Sequence, residues 1–189
     1  MKLTPRTGGW IEIICGPMFS GKTEELIRRL VRAQIAKQKV EIFKPAIDNR
    51  YSEEYIVSHN NRKIKSVVIR HPNEILSHIN EADVIGVDEA QFFDVSIVTV
   101  CRKLANSGKR VVIAGLEKDY LGNPFGPMPE LLIEAEFISK VLAICVRCGD
   151  PANYSQRLSQ ENGQVVVGEA DKYEARCRTC FAPLTPKHM

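Results

Sequence analysis

Residues 16–23 read GPMFSGKT, and this octet restricts the chain more than any other feature. Gly16 and Gly21 bracket Pro17, Met18, Phe19 and Ser20, and Lys22 and Thr23 follow. Glycines at those two places let backbone N–H groups turn inward around an anion. The lysine then reaches the outer phosphates, and the threonine hydroxyl can ligate Mg²⁺. Before the octet, the apolar and β-branched run WIEIIC (residues 10–15) reads as a buried strand. After it, Leu26, Ile27, Leu30, Val31 and Ile35 recur at helical spacing within residues 24–38, so a helix N-terminus should face the phosphates. A chance match in a glycine-rich loop would lack both flanks. The octet therefore predicts a phosphate site, whose acceptor is water, a protein or a small hydroxyl compound.

The alternation continues downstream. Residues 39–44, ended by Pro45, and residues 83–87 and 109–115 read as further strands; residues 73–80 and 95–105 read as helices. Residues 56–69 alternate and are split by Asn60-Asn61, which suggests a β-hairpin. This order predicts an α/β fold, a P-loop NTPase-like parallel sheet flanked by helices on both faces, with ligands at the carboxyl ends of the strands. From Cys145 onward the character changes to short polar strands and paired cysteines. The expected domains are residues 1–144 and 145–189.

Composition narrows the function. A chain of 189 residues holds one ordinary domain and a small appendage. A net charge of +3, spread along the chain, gives no argument for nucleic acid as a partner. No stretch approaches 18 consecutive apolar residues, and the N-terminal MKLTPRTGG lacks an apolar run, so neither a membrane span nor a signal peptide is expected. The expected compartment is the cytoplasm, where disulfides are disfavoured.

Asp88 and Glu89 follow directly on an apolar strand, the position of a Mg²⁺-organising aspartate in phosphate-loop enzymes. Adjacent residues at a strand end project to opposite sides, so Asp88 can hold the metal while Glu89 faces the reacting group. A carboxylate there can take the proton of an incoming hydroxyl. The plainer reading makes both solvated caps of the next helix. DEAQ would also suit a motor ATPase, but that needs a second lobe for which the chain has no room. A nucleotide switch or nucleic-acid-binding ATPase would show a clustered basic face and stacking aromatics, and neither is present.

Cys145 and Cys148 form one C-x-x-C pair, Cys177 and Cys180 a second, with a 28-residue spacer between them. Four thiolates in two such pairs make a closed tetrahedral zinc site with no open position, hence a structural one; redox pairs or a disulfide cross-link are the alternative. A segment of about 45 residues buries too little apolar surface to fold alone, and a metal supplies the deficit. Cys15 and Cys101 fall in expected core elements and read as buried thiols. His59, His71, His78 and His188 show no metal spacing and carry no role.

Taken together, GPMFSGKT, FKPAIDNRYS (residues 43–52), SHN (58–60), DEAQFF (88–93), GLEKDYLGNPFGPM (115–128), the C-x-x-C pairs and GEADKYEARCRTC (168–180) strongly resemble the cytosolic, zinc-containing type II thymidine kinases. The match covers nearly the whole chain. The resemblance implies that residues 16–23 bind ATP and magnesium, that Asp88 organises Mg²⁺ and that Glu89 is the base on the 5′-hydroxyl of thymidine. It places Gln91, Asp48 and Arg50 near the phosphates, with Arg157 steadying phosphate charge. Met18, Phe92, Leu116, Tyr120 and Phe125 would wall the thymine and sugar. Gln164, Val165, Val166, Val167 and Gly168 would form a lasso gripping the base through backbone groups, with Tyr173 as its anchor. It further implies structural Zn²⁺ on the four cysteines, acceptance of deoxyuridine, a role in nucleoside salvage, inhibition by dTTP and a homotetramer. Two departures stand out: Glu117 where the family often has aspartate, and Tyr120 where many members have phenylalanine. Met18 and Phe19 put apolar bulk inside a phosphate loop, which suits a base-sized acceptor; the alternative is packing beneath the loop.

Overall fold

β1 (Trp10–Cys15) divides its side chains between two cores, as the two-residue period of a pleated strand requires. Ile11, Ile13 and Cys15 enter one, and Ile14 enters the other. The computed structural model describes residues 8–46, 55–57, 63–79, 81–159 and 172–182. Within them, β1 joins β2 (Val40–Pro45), β5 (Val67–Ile69), β6 (Val84–Val87), β7 (Arg110–Gly115) and β8 (Phe137–Lys140) in one sheet of order β5-β2-β6-β7-β1-β8. Every pairing in this sheet is parallel.

Helices cover both faces, which is why the strands read as continuous apolar runs rather than as alternating ones. On one side α1 (Lys22–Ile35) lays Leu26, Ile27, Leu30 and Ala33 onto Ile14, Ile42, Val84 and Val112. On the other, α3 (Ser96–Asn106) sets Ile97, Val100, Cys101 and Leu104 against Ile11, Ile13, Ile85 and Ile113. Burying one such side chain contributes about 1.5–3 kcal/mol. Cys15 and Cys101 are enclosed in this core, as expected, and burial pushes the Cys101 thiol up to about 12. The polar exception in β1 is Glu12, which accepts from Trp10 Nε1 at 2.7 Å and pairs with Arg29 at 2.8 Å and Arg110 at 2.6 Å. It bolts β1 to α1 and β7.

The expected elements appear with small shifts of boundary, including α2 (Glu74–His78). β2 runs through Pro45, because its pairing with β6 stops at Phe43 and leaves that side of the ladder open. The expected hairpin is present as β3 (Tyr55–Val57) against β4 (Lys63–Lys65), but the chain then leaves it, and β5 joins the main sheet. Asn60-Asn61 lies outside the described residues. Two elements were not anticipated, α4 (Met128–Glu134) and β8; α4 begins among Pro127 and Pro129, which obscure its period.

The C-terminal unit is built from short ladders. β9 (Ala143–Ile144) pairs with β10 (Pro151–Ala152), and β11 (Tyr154–Arg157) pairs with β12 (Tyr173–Arg176), both antiparallel. Ala143, Cys145, Ala152, Ala175 and Cys177 make its small core. No helix among the described residues is long and apolar enough to cross a membrane.

Candidate active site

Three neighbouring strands end at one edge, and each delivers part of a site. β1 runs into the phosphate loop, β6 into Asp88 and Glu89, and β7 into Leu116 and Glu117. Gly16 is required by close approach, since a Cβ there would stand 2.1 Å from the Val141 carbonyl oxygen. Gly21 caps α1 in the left-handed region at φ 81°, which glycine adopts without strain. Lys22 Nζ donates to the Pro17 carbonyl at 2.8 Å, so the loop curls back on its own lysine. Burial lowers the Lys22 pKa, opposed by the nearby carboxylates of Glu89, Asp88 and Glu117.

Asp88 is 6% exposed and its carboxylate meets the Thr23 hydroxyl at 3.3 Å. Burial, and then the charge of Glu89, push the Asp88 carboxyl up to about 7. A buried aspartate with a half-buried glutamate and a threonine hydroxyl beside it calls for a cation, and this oxygen-only donor set suits Mg²⁺. Glu89 leaves the strand through left-handed backbone at φ 53° and opens a single 3-10 turn, Ala90–Phe92. Gln91 holds it there. The Gln91 Nε2 donates to Glu89 Oε2 at 2.5 Å, while its Oε1 accepts from the Leu116 amide at 2.9 Å. A fully buried amide thus fixes the direction of the carboxylate and ties β6 to β7.

Beside this acidic pair, Phe92 and Phe125 meet edge to face, with ring centroids 5.5 Å apart. Further along, the Arg157 guanidinium lies 3.5 Å from the centre of the Tyr120 ring and donates to the Tyr173 hydroxyl at 3.0 Å. Arg157 is 2% exposed, so it knits β11, β12 and the loop after β7 into one wall. Asp48, Arg50 and residues 164–168 lie outside the described residues.

The four cysteines converge: their sulfur atoms all lie within 4.8 Å of one another, with Cys148 and Cys177 3.6 Å apart. Tetrahedral zinc–thiolate bonds of about 2.3 Å place sulfurs roughly 3.8 Å apart, so the cluster fits zinc. Burial would raise the Cys145 thiol, but backbone N–H donors of Cys177, Arg147 and Cys148 outweigh it and bring it to about 6. The backbone of Asp150 would lower Cys148, but hydrogen bonds among the sulfurs outweigh it and raise Cys148, and they raise Cys180 in turn, so the four thiols act as one group.

Other groups gave no signal in the sequence. Glu117 pairs with Lys140 at 3.0 Å across the root of the phosphate loop, joining the ends of β7 and β8. Ser155 accepts from the Met18 amide at 2.9 Å. Both contacts bridge distant segments, and neither residue type marks a motif; the departure from aspartate at position 117 was the only hint.

The profile of the Thymidine kinase family matches residues 9–181. The chain belongs to the thymidine kinase family. It is 58% identical over 178 residues to a thymidine kinase of Rhodothermus sp. (strain ITI 518), spanning 94% of this chain and 84% of that protein. Thymidine kinases of Bacteroides thetaiotaomicron and Bacteroides fragilis are 58% and 56% identical, each over 93% of this chain and 88% of theirs. Among solved structures, the Legionella pneumophila ATPase DotB covers 70% of this chain and 35% of its own at 18% identity and a TM-score of 0.38, too distant to carry an argument. The molecule is therefore an enzyme with thymidine kinase activity, as the sequence resemblance implied.

Proposed function

We propose that the enzyme transfers the γ-phosphate of ATP to the 5′-hydroxyl of thymidine, with deoxyuridine as a second acceptor, in nucleoside salvage. The observation that carries this reading is Glu89, clamped by Gln91 at 2.5 Å between the phosphate loop and the Phe92–Phe125 corner. A carboxylate so placed removes the hydroxyl proton as the oxygen attacks phosphorus in line. Residues 16–23 cradle the triphosphate, and Lys22 neutralises the outer phosphates. Thr23 and Asp88 would hold Mg²⁺, which supplies charge neutralisation of the transferring phosphoryl group.

Met18, Phe92, Leu116, Tyr120 and Phe125 wall the nucleoside, and Arg157 steadies phosphate charge. Asp48 and Arg50 approach the phosphates, residues 164–168 grip the base, and Tyr173 anchors them. The product analogue dTTP joins a thymine to a triphosphate in one molecule, so it can fill the base site and the phosphate site together; feedback inhibition follows. Exposed Ile133 on α4, Ile138 on β8, and Leu142, Ile144 and Val146 in the segment after it support association of copies, and the assembly we propose is a cytoplasmic homotetramer.

ADP release measured with a panel of nucleosides, with nucleic acid and with neither tests the reading. Release that follows thymidine and deoxyuridine supports it. Release that follows nucleic acid, or that ignores the nucleosides, overturns it.

A further inference from the structure

The middle of the phosphate loop touches the cysteine-bearing unit at two consecutive residues. The Met18 amide donates to Ser155 Oγ at 2.9 Å, and the Phe19 side chain packs against the core of Ala143, Cys145, Ala152, Ala175 and Cys177. Ser155 is 5% exposed and sits opposite Ala175 in the β11–β12 ladder, two residues before Cys177. The hydroxyl that receives the loop is therefore placed by the same strand that delivers the second cysteine pair. Phe19 makes its contact from left-handed backbone, φ 64°, which a non-glycine residue occupies only when its surroundings hold it there. What holds it is a core that includes two of the four cysteines.

Consider each site as the other changes. If the cysteines separate, the surface under Phe19 disperses and Ser155 shifts with β12. The backbone of Phe19 is then free to return to an ordinary conformation, and the loop amides that follow it lose the inward orientation that a phosphate needs. The converse follows from linkage: whatever anchors the loop must stabilise the folded cluster by the same factor.

We propose that Phe19 and Ser155 couple the phosphate loop to the four-cysteine site, so that nucleotide binding and zinc retention strengthen each other. This rests on reading residues 16–23 as the ATP site and the cluster as a zinc site. Phe19 is then a positioning residue: its ring serves the C-terminal unit while its backbone serves the phosphates.

The test measures zinc transfer from the purified full chain to a colorimetric chelator, with and without a magnesium-saturated, non-hydrolysable ATP analogue. A nucleotide titration and a zinc determination are run on the same samples. In the native chain the nucleotide should slow zinc transfer by about fivefold or more, the lower edge of ordinary coupling between sites. In Phe19→Ala and in Ser155→Ala the slowing should shrink, and KM for ATP should rise more than kcat falls. Phe19→Leu, which keeps an apolar side chain on the cluster, should restore most of the slowing; it also separates lost coupling from lost folding. Equal slowing in the native chain and Phe19→Ala overturns the proposal, as does no slowing in the native chain. If nucleotide and zinc both bind without affecting each other, the coupling fails while the functional reading stands. A chain that holds no zinc, or no nucleotide, sinks both.

Discussion

Glu89, the base proposed above, is held in place by its backbone and by one neighbouring amide. The strand that carries it ends at Val87, and left-handed backbone then turns the side chain out of the sheet. Gln91 fixes the carboxylate with an amide hydrogen bond, and the second end of that amide is spent on Leu116. Glu89→Gln keeps the shape and removes the proton acceptor. Turnover should fall by roughly 10²–10⁴-fold, the usual worth of general base catalysis, while ATP affinity stays close to native. Steady-state kinetics with an independent nucleotide titration decides it; near-native turnover would dismiss Glu89 as the base. The acidic pair was legible in the sequence because it follows an apolar strand without a break. The function of Gln91 as an orienting amide was not, since nothing in DEAQ says which way the side chain reaches. Glu117, Lys140 and Ser155 were hidden for a related reason: their partners come from remote segments, and a single sequence carries no record of such pairs.

At the scale of elements, Glu12 connects chemistry to architecture. It occupies a buried position in β1 that an apolar residue would normally fill, and it binds α1 through Arg29 and β7 through Arg110. Burial pushes its carboxyl up, yet the Arg110 guanidinium, the Trp10 indole and Arg29 together hold it below the usual carboxylate range. A depressed folded pKa contributes stability that is fully present above the unfolded value of about 4.3 and is lost as pH falls through the folded one. Glu12→Gln takes the carboxylate from Arg110 and leaves Arg29 with Glu25 alone, 2.9 Å away. The expected cost at neutral pH is about 3 kcal/mol, or a Tm lower by roughly 6–12 °C. The gap between variant and native chain should narrow as pH falls below the unfolded value of about 4.3 and close only where native Glu12, held lower than that, itself gains a proton. Melting curves that stay parallel down to pH 3 would assign the loss to packing instead. Elements with an unbroken period, such as β1, β7, α1 and α3, were readable in advance. The departure of β5 from the hairpin into the main sheet is a tertiary choice that alternation alone cannot register.

For the molecule as a whole, the open issue is how so small a C-terminal unit stays folded. Among the described residues its core cluster is three alanines and two cysteines, with Phe19 and Cys180 packed alongside, so the apolar area buried there is slight. At about 25 cal/mol per Å² such a core offers little against the entropy of ordering its strands. Zinc on the sulfur cluster would supply what packing does not, because metal binding free energy in such a site is folding free energy. Elemental analysis should find one zinc per chain. Cys148→Ser removes the most exposed of the four ligands and leaves the three others in place. Zinc retention should drop sharply, and protease should cut the segment beyond residue 144 first. The sheet domain should keep its melting transition, since its two cores are built from the four α-helices, five of the six strands and adjoining segments, without any of the four cysteines. A single transition in which sheet and C-terminal unit unfold together at a lowered temperature would mean that the metal stabilises the entire chain. Unchanged zinc content and proteolysis in Cys148→Ser would remove the cluster from the account of stability altogether.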